Sequence, residues 1–238
     1  MTAASLHGIF TGDIRVRSSN FIVLDVARQI GGPEPSTTTL TDLSGFGNDG
    51  AMTNVTWAQE PSGLWVMVFN GSSSVVSLTD YTIFGNKPGS INFWWKSTGW
   101  TYSYETLFCA SHGGAWLDQV VQISRFIETD DICLNVSDGT TYTDGDTRIT
   151  VTENSWHHTV GTWDGTTAIQ YYDVSTTISD GANYLPANDA TSIRIGAGYV
   201  TGTRWFGGSM ALLKAYNYAF TSAEVSKQFS DERSLLGV

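Results

Sequence analysis

Trp156-His-His-Thr-Val-Gly-Thr-Trp163-Asp-Gly165 reads as a strand that runs into a tight turn. β-branched and aromatic residues, the histidines included, take every one of its first eight positions except Gly161, and Asp-Gly supplies the turn. Strand side chains alternate, so His157 and His158 must point to opposite faces and cannot chelate one ion as neighbours. About a hundred residues upstream stands a second punctuated segment, Asp42-Leu-Ser-Gly-Phe-Gly-Asn-Asp-Gly50, followed by Phe69-Asn-Gly71. Its glycines permit backbone angles that other residues adopt only at a cost. Neither segment spells out a catalytic constellation. Both mark turns and strands.

Working outward, the same pattern recurs along the chain. Strands are predicted at Phe21–Leu24, Leu64–Phe69, Ser74–Leu78, Ser90–Trp95, Thr106–Ala110, Gln119–Ile127, Ile132–Val136, His157–Trp163, Ala168–Asp173, Ser192–Ile195 and Gly208–Tyr216. In Ser90–Trp95, Ile91, Phe93 and Trp95 share one face. Pro33 and Pro35 lack the donors a ladder needs, which makes Gly31–Thr39 a loop. Many short strands separated by turn residues indicate a sandwich or barrel. One helix is expected near the end. Thr221-Ser-Ala-Glu224 is a capping box, with Phe220 and Val225 placed for a hydrophobic staple, and the helix should run to about Phe229 or Ser230. Residues 1–20 read as an N-terminal arm or edge strand, and residues 21–238 as the main domain.

Charged residues make up 15% of the 238, and the net charge is −11. An acidic chain repels phosphate backbones and anionic bilayers, so nucleic-acid partners and membrane-surface binding are disfavoured. No run of ~18 apolar residues is present to span a bilayer. Met1-Thr-Ala-Ala-Ser-Leu-His7 has neither a basic start nor an apolar core, so no signal peptide is expected. Cys109 is expected to face inward with Leu107, and Cys133 outward, opposite Ile132, Leu134 and Val136. That arrangement argues against a disulfide and suits a reducing compartment.

In shared order and spacing, these segments resemble the laminin G-like domains of the concanavalin A-like lectin/glucanase superfamily over roughly residues 20–238. Asp42–Gly50 is similar to the family's Asp-Leu-Ser-Gly-x-Gly-Asn-x-Gly turn. Trp156–Gly165 is similar to its Trp-His-x-Val-x-Gly-Thr-Trp-Asp-Gly hairpin. Tyr216-Asn-Tyr-Ala-Phe-Thr-Ser-Ala-Glu-Val225 resembles its closing helix. The resemblance implies an all-β, jelly-roll β-sandwich of two antiparallel sheets with one short C-terminal helix. It also implies a binding or structural module. A narrower resemblance, through Asp25-Val-Ala27, Leu40–Gly45 and the tail Gln228–Val238, is to laminin G-like proteins of tailed-phage and metagenomic virus genomes. It implies a virion surface or extracellular protein (decoration, fibre or spike) with capsid or tail proteins as partners, or a homo-oligomer. Two departures stand out. Ala211 occupies the position where cellular members often carry an Asp that helps hold Ca²⁺. Val174 replaces a glycine in the hairpin after Trp163-Asp-Gly165, so that turn is expected to be rebuilt.

Carbohydrate sites on such sandwiches combine aromatic platforms with amide, carboxylate and guanidinium groups. The candidate set is Trp100, Tyr102, Tyr104, Trp116, Asp118, Tyr199, Arg204 and Trp205, with glycans or polysaccharide as ligands. Asp138, Asp144 and Asp146 form oxygen-rich turns that would suit Ca²⁺, a hard ion wanting six to eight oxygens. The rival class is a polysaccharide lyase or glycoside hydrolase, for which Glu105, Arg125 and Glu128 are the residues to test. A glycosidase needs two carboxylates across one cleft, and Glu128-Thr-Asp-Asp131 lacks the spacing. No phosphate loop, zinc spacing or dinucleotide fingerprint is present. The balance favours a non-catalytic module.

Overall fold

The computed structural model describes residues 22–78, 84–85, 87–99, 104–113, 119–126, 131–138, 151–178, 190–199 and 204–238. The arm expected over residues 1–20 lies outside them. The described strands are β1 (Ile22–Val26), β2 (Thr39–Leu40), β3 (Gly50–Thr53), β4 (Thr56–Gln59), β5 (Trp65–Asn70), β6 (Val75–Leu78), β7 (Gly89–Ser97) and β8 (Tyr104–Ser111). They continue with β9 (Gln119–Phe126), β10 (Asp131–Val136), β11 (His157–Trp163), β12 (Ala168–Tyr172), β13 (Ser175–Ile178), β14 (Ser192–Ile195) and β15 (Gly207–Tyr216). The helix α1 (Ser222–Glu232) follows.

These strands build two antiparallel sheets. Among the described residues one has the order β10-β9-β8-β14-β6-β3-β2. The other has the order β13-β12-β11-β7-β15-β5-β4, and β1 also pairs with β15. The core lies between them. Ile91, Phe93 and Trp95 of β7 share the expected face and meet Phe108, Ile123, Leu134 and Ile193 of the other sheet in one buried cluster. Strands β2, β3, β4 and β13 were not among the expected ones. The first three are short and sit at or near sheet edges, too brief for alternation to register in the sequence.

Helix α1 covers the outer face of the eight-stranded sheet. The Thr221 hydroxyl accepts from the Glu224 N–H, and the Glu224 carboxylate accepts from the Thr221 N–H, completing the capping box. Phe220 and Val225 pack together with Val160, Tyr171 and Tyr216, as a staple requires. The helix extends beyond the expected end, to Glu232, because Glu232 has partners inside. It accepts from Trp94 Nε1 at 2.8 Å and pairs with the Lys214 ammonium. Burial opposes a charge on Lys214, but Glu232, Tyr216 and Asp25 outweigh it and hold its pKa above the ordinary value. With a helix on one side and the core on the other, every residue of β11 is buried. His157 stacks on Tyr172 toward the core, and His158 packs at a tilt against Trp94 beneath α1. Their opposite faces are as alternation demands.

The Asp42–Gly50 segment is a closed loop tied by one carboxylate. Asp42 Oδ1 accepts from the N–H groups of Asp25 (3.0 Å) and Ser44 (2.9 Å), and Oδ2 from that of Asn48 (3.0 Å). Gly45 and Gly47, at φ +93° and +77°, give the turn its left-handed corners.

Two expectations are corrected. Val174 does adopt the positive angle expected of glycine alone, with φ +73° after Asp173 at +45°. The β12–β13 hairpin turns over these two residues, and a two-residue turn matching strand twist needs positive φ at both. Asp173 anchors it: its carboxylate accepts from the His158 N–H at 2.8 Å and lies 2.8 Å from His157 Nδ1. Cys109 does not face inward. A bulge between Thr106 and Phe108 inserts Leu107 and shifts the alternation, so Cys109 pairs with Gln122 and shares the outer face with Cys133. They sit on β8 and β10, with β9 between, and no disulfide joins them.

Candidate functional site

The seven-stranded sheet has no helix over its outer face among the described residues, and its registers line up there. Thr39 opposes Ala51, which opposes Ser77, which opposes Arg194. Arg194 opposes Cys109, which opposes Gln122, which opposes Asn135. Directly opposed residues point to one side. Seven side chains therefore form one line across the sheet, about 29 Å long at ~4.8 Å per strand. Their chain neighbours Leu40, Met52, Val76, Leu78, Ile193, Ile195, Phe108, Ala110, Ile123 and Leu134 point the other way, into the core. Thr39 and Ala51 are exposed, Ser77 and Arg194 half-buried, and Cys109, Gln122 and Asn135 buried.

The buried end of the row is a hydrogen-bonded polar layer. Gln122 donates to the Ser124 hydroxyl, which lies 3.2 Å from that of Thr106. The Cys109 thiol lies 3.7 Å from Gln122 Oε1. Burial pushes this thiol up to about 12, against the pull of Arg194 and Arg204. It is a neutral thiol and no nucleophile at ordinary pH.

At the middle of the row a wall rises. Arg204 is held in the left-handed region at φ +62°. Its guanidinium carbon lies 5.1 Å from the centroid of the Tyr104 ring and 5.0 Å from that of Tyr199. Its carbonyl accepts from the Thr106 N–H at 2.9 Å. Arg194 joins the wall from the row, donating from Nη1 to the carbonyls of Gly198 (3.1 Å) and Tyr199 (3.5 Å). A Cβ on Gly198 would stand 3.0 Å from Arg204 Cδ and 3.2 Å from Thr106 Oγ1, so glycine is what lets the wall close on the sheet. Stacking an arginine on tyrosine contributes about 0.5–1 kcal/mol where exposed and up to ~2 where dry.

Of the expected sugar-site residues, Tyr104, Tyr199 and Arg204 come together in this wall. Trp205 is half-buried next to them in the chain but makes no ring contact with the stack among the described residues. Trp100, Tyr102, Trp116 and Asp118 lie outside the described residues, as do Asp144 and Asp146. Asp138 is described, just past the bridge at Ser137. No group of three or more His, Cys, Asp or Glu that could hold a metal occurs among the described residues. Ala211 packs with Leu64, Val66, Trp94 and Leu236 in an apolar cluster. That side chain gives Ca²⁺ no oxygen where cellular members place a carboxylate, and a hard ion does not fit those neighbours.

The residues of the rival enzymatic reading are placed differently. Arg125 opposes Glu105 on the core side of β9 and β8, and both are fully buried. Arg125 Nη1 donates to Ser97 Oγ on the facing sheet at 2.8 Å, and Nη2 lies 3.7 Å from Glu153. The arginine ties one sheet to the other. Glu128 lies outside the described residues. Sequence reading missed Arg194, Ser77 and Gln122. The alternation in Ile193-Arg-Ile195 marks Arg194 as outward, but its neighbours on the row come from strands far apart in the chain.

Comparison with known proteins agrees with this architecture. The sequence profile of the concanavalin A-like lectin/glucanases superfamily, laminin G type, matches residues 70–226. No curated protein matches the sequence. Domain 4 of AbnA, an extracellular arabinanase from Geobacillus stearothermophilus solved with arabinotriose, superposes with a TM-score of 0.63 at 22% identity, over 79% of this chain and 91% of that one. A botulinum neurotoxin type C structure, whose cell entry is described as dependent on two ganglioside molecules, gives 0.65 at 12% identity over 91% of this chain. Trypanosoma rangeli sialidase gives 0.67 at 12% identity over 94% of this chain. The chain spans 52% of that toxin chain and 34% of the sialidase. At these identities the likeness is one of fold. With two antiparallel sheets, a short C-terminal helix and a profile match over more than half its length, the chain belongs to the concanavalin A-like lectin/glucanases superfamily as a laminin G-type domain.

Proposed function

We propose that the outer face of the seven-stranded sheet binds saccharides without turning them over. The observation that carries this reading is the Tyr104–Arg204–Tyr199 stack standing beside Arg194 on a row whose open half, Thr39, Ala51 and Ser77, has only small side chains. Aromatic rings offer apolar faces with polar edges, and guanidinium groups donate in a fixed fork to oxygen acceptors. The fold neighbours are described as bound to arabinotriose or dependent on gangliosides, which supports the same job for this chain. Among the described residues the site has no nucleophile with an adjacent base, and Arg125 opposite Glu105 is tied inward to Ser97.

The setting we propose is a virion surface or extracellular one, in a decoration, fibre or spike role, alone or as a homo-oligomer beside capsid or tail proteins. Its support is the sequence resemblance in Asp25–Gly45 and Gln228–Val238, and antibody labelling of intact particles tests it.

The binding test is a glycan array followed by calorimetry on the whole chain. Ala51→Trp and Tyr199→Ala should each weaken any ligand found by about tenfold or more, near 1.4 kcal/mol. Ala51 is exposed, so its variant should melt with the parent. An array without a binder, or an Ala51→Trp variant that binds unchanged, rules the surface out.

A further inference from the structure

Resting on the saccharide reading, we infer that this face selects acidic sugars, those bearing a carboxylate or a sulfate ester, with Arg194 as the group that reads the charge. The chain carries 23 Asp and Glu against 12 Lys and Arg. In such a protein a cation ordinarily finds an acid. Arg28 lies 3.2 Å from Asp25, Lys96 3.6 Å from Glu60, and Lys227 3.0 Å from Asp231. Arg194 is different. Among the described residues its partners are the two backbone carbonyls of the wall, both reached through Nη1. Those bonds fix the direction of the guanidinium and leave its charge uncompensated. No residue of the seven-membered row is acidic. A half-buried, oriented guanidinium on a row free of carboxylates is arranged for an anionic oxygen pair, which it can take bidentately. The adjoining Tyr199 ring, itself half-buried, can meet the apolar face of the sugar that carries the anion. Arg204 adds a second positive group on the same side, close enough that both arginines act on the Cys109 thiol.

Calorimetry with three probes of matched length tests this: an oligogalacturonide, its fully methyl-esterified form, and a sulfated glucan oligosaccharide. At least one acidic probe should bind about tenfold or more tightly than the methyl ester, and which one it is separates carboxylate from sulfate. Arg194→Gln keeps hydrogen-bonding capacity without charge and should erase the preference, while Arg194→Lys should keep part of it. Melting temperatures of both variants establish that the fold is intact. Equal binding of acid and ester, or a preference that survives in Arg194→Gln, overturns the inference and leaves the saccharide surface standing. If no probe binds and the glycan array is also blank, both readings fall together.

Discussion

Replacing His158 by phenylalanine should make the protein much less sensitive to acid. His158 is fully buried beneath α1, its ring tilted against Trp94 at 4.9 Å and near Phe229 at 5.8 Å between ring centroids. Neither ring nitrogen has a hydrogen-bond partner. Burial pushes its pKa from 6.5 down to about 3, with Asp173 pulling the other way. The sign follows from the proton count. Below pH 6.5 the unfolded chain protonates this histidine, while the folded protein does not until about pH 3. Its contribution to stability is therefore complete above 6.5 and is lost as the pH falls toward 3. Each unit in that window costs about 1.36 kcal/mol, so acidification to about pH 4.5 removes about 2.7 kcal/mol through this side chain alone. For a chain of this size that is a fall in Tm of about 5–11 °C. Phenylalanine suits the aromatic slot and does not titrate. Thermal and urea unfolding of both proteins at about pH 7.5 and about pH 4.5, at one ionic strength, isolates the effect, since every other group is common to both. The parent should lose about 2.7 kcal/mol more than His158→Phe on acidification. A difference below ~0.5 kcal/mol would refute the reasoning and mean that the ring reaches water or a proton acceptor when charged.

The remaining predictions concern the turn, the buried ion pair and the metal. Val174→Gly should stabilise the protein by about 0.5–1 kcal/mol, because it relieves ~1–2 kcal/mol of left-handed strain and gives part back as chain entropy; a lowered Tm would count against the strained turn. Glu232→Gln leaves the Lys214 ammonium buried without its counter-charge and should cost about 3–5 kcal/mol, with amide exchange rising first in α1; an unchanged Tm would show that the pair contributes nothing. Chelator should move the Tm by less than ~4 °C, about 1–2 kcal/mol at this size, and a larger fall would reveal a calcium site built without a carboxylate at Ala211.

Local patterns carried far. The capping box at Thr221 and Glu224 formed as written, because a cap is made by residues three apart in one stretch of chain. Strands β11 and β14 coincide with their predicted limits, since alternation and bounding turns are also local signals. Cys109 shows where such reading stops. Its face was set by a bulge at Leu107, which depends on the pairing of β8 with β9. Val174 shows the same limit from the other side, for a residue with a poor intrinsic fit sits in a turn whose other member, Asp173, is anchored by His157 and His158, sixteen and fifteen positions away.

The sequence by itself determined the class of fold and which residues make its turns, caps and core strands, because those follow from periodicity and from backbone chemistry within short windows. Tyr104, Tyr199 and Arg204 were also visible as loop aromatics with a guanidinium. What only the tertiary structure decided is that the three form one wall, and that Arg194, Ser77 and Ala51 line up beneath it. That row takes one residue from each of seven strands, and its order is set by sheet register. Register is fixed by burying the opposite face of every strand at once. No segment read alone contains it.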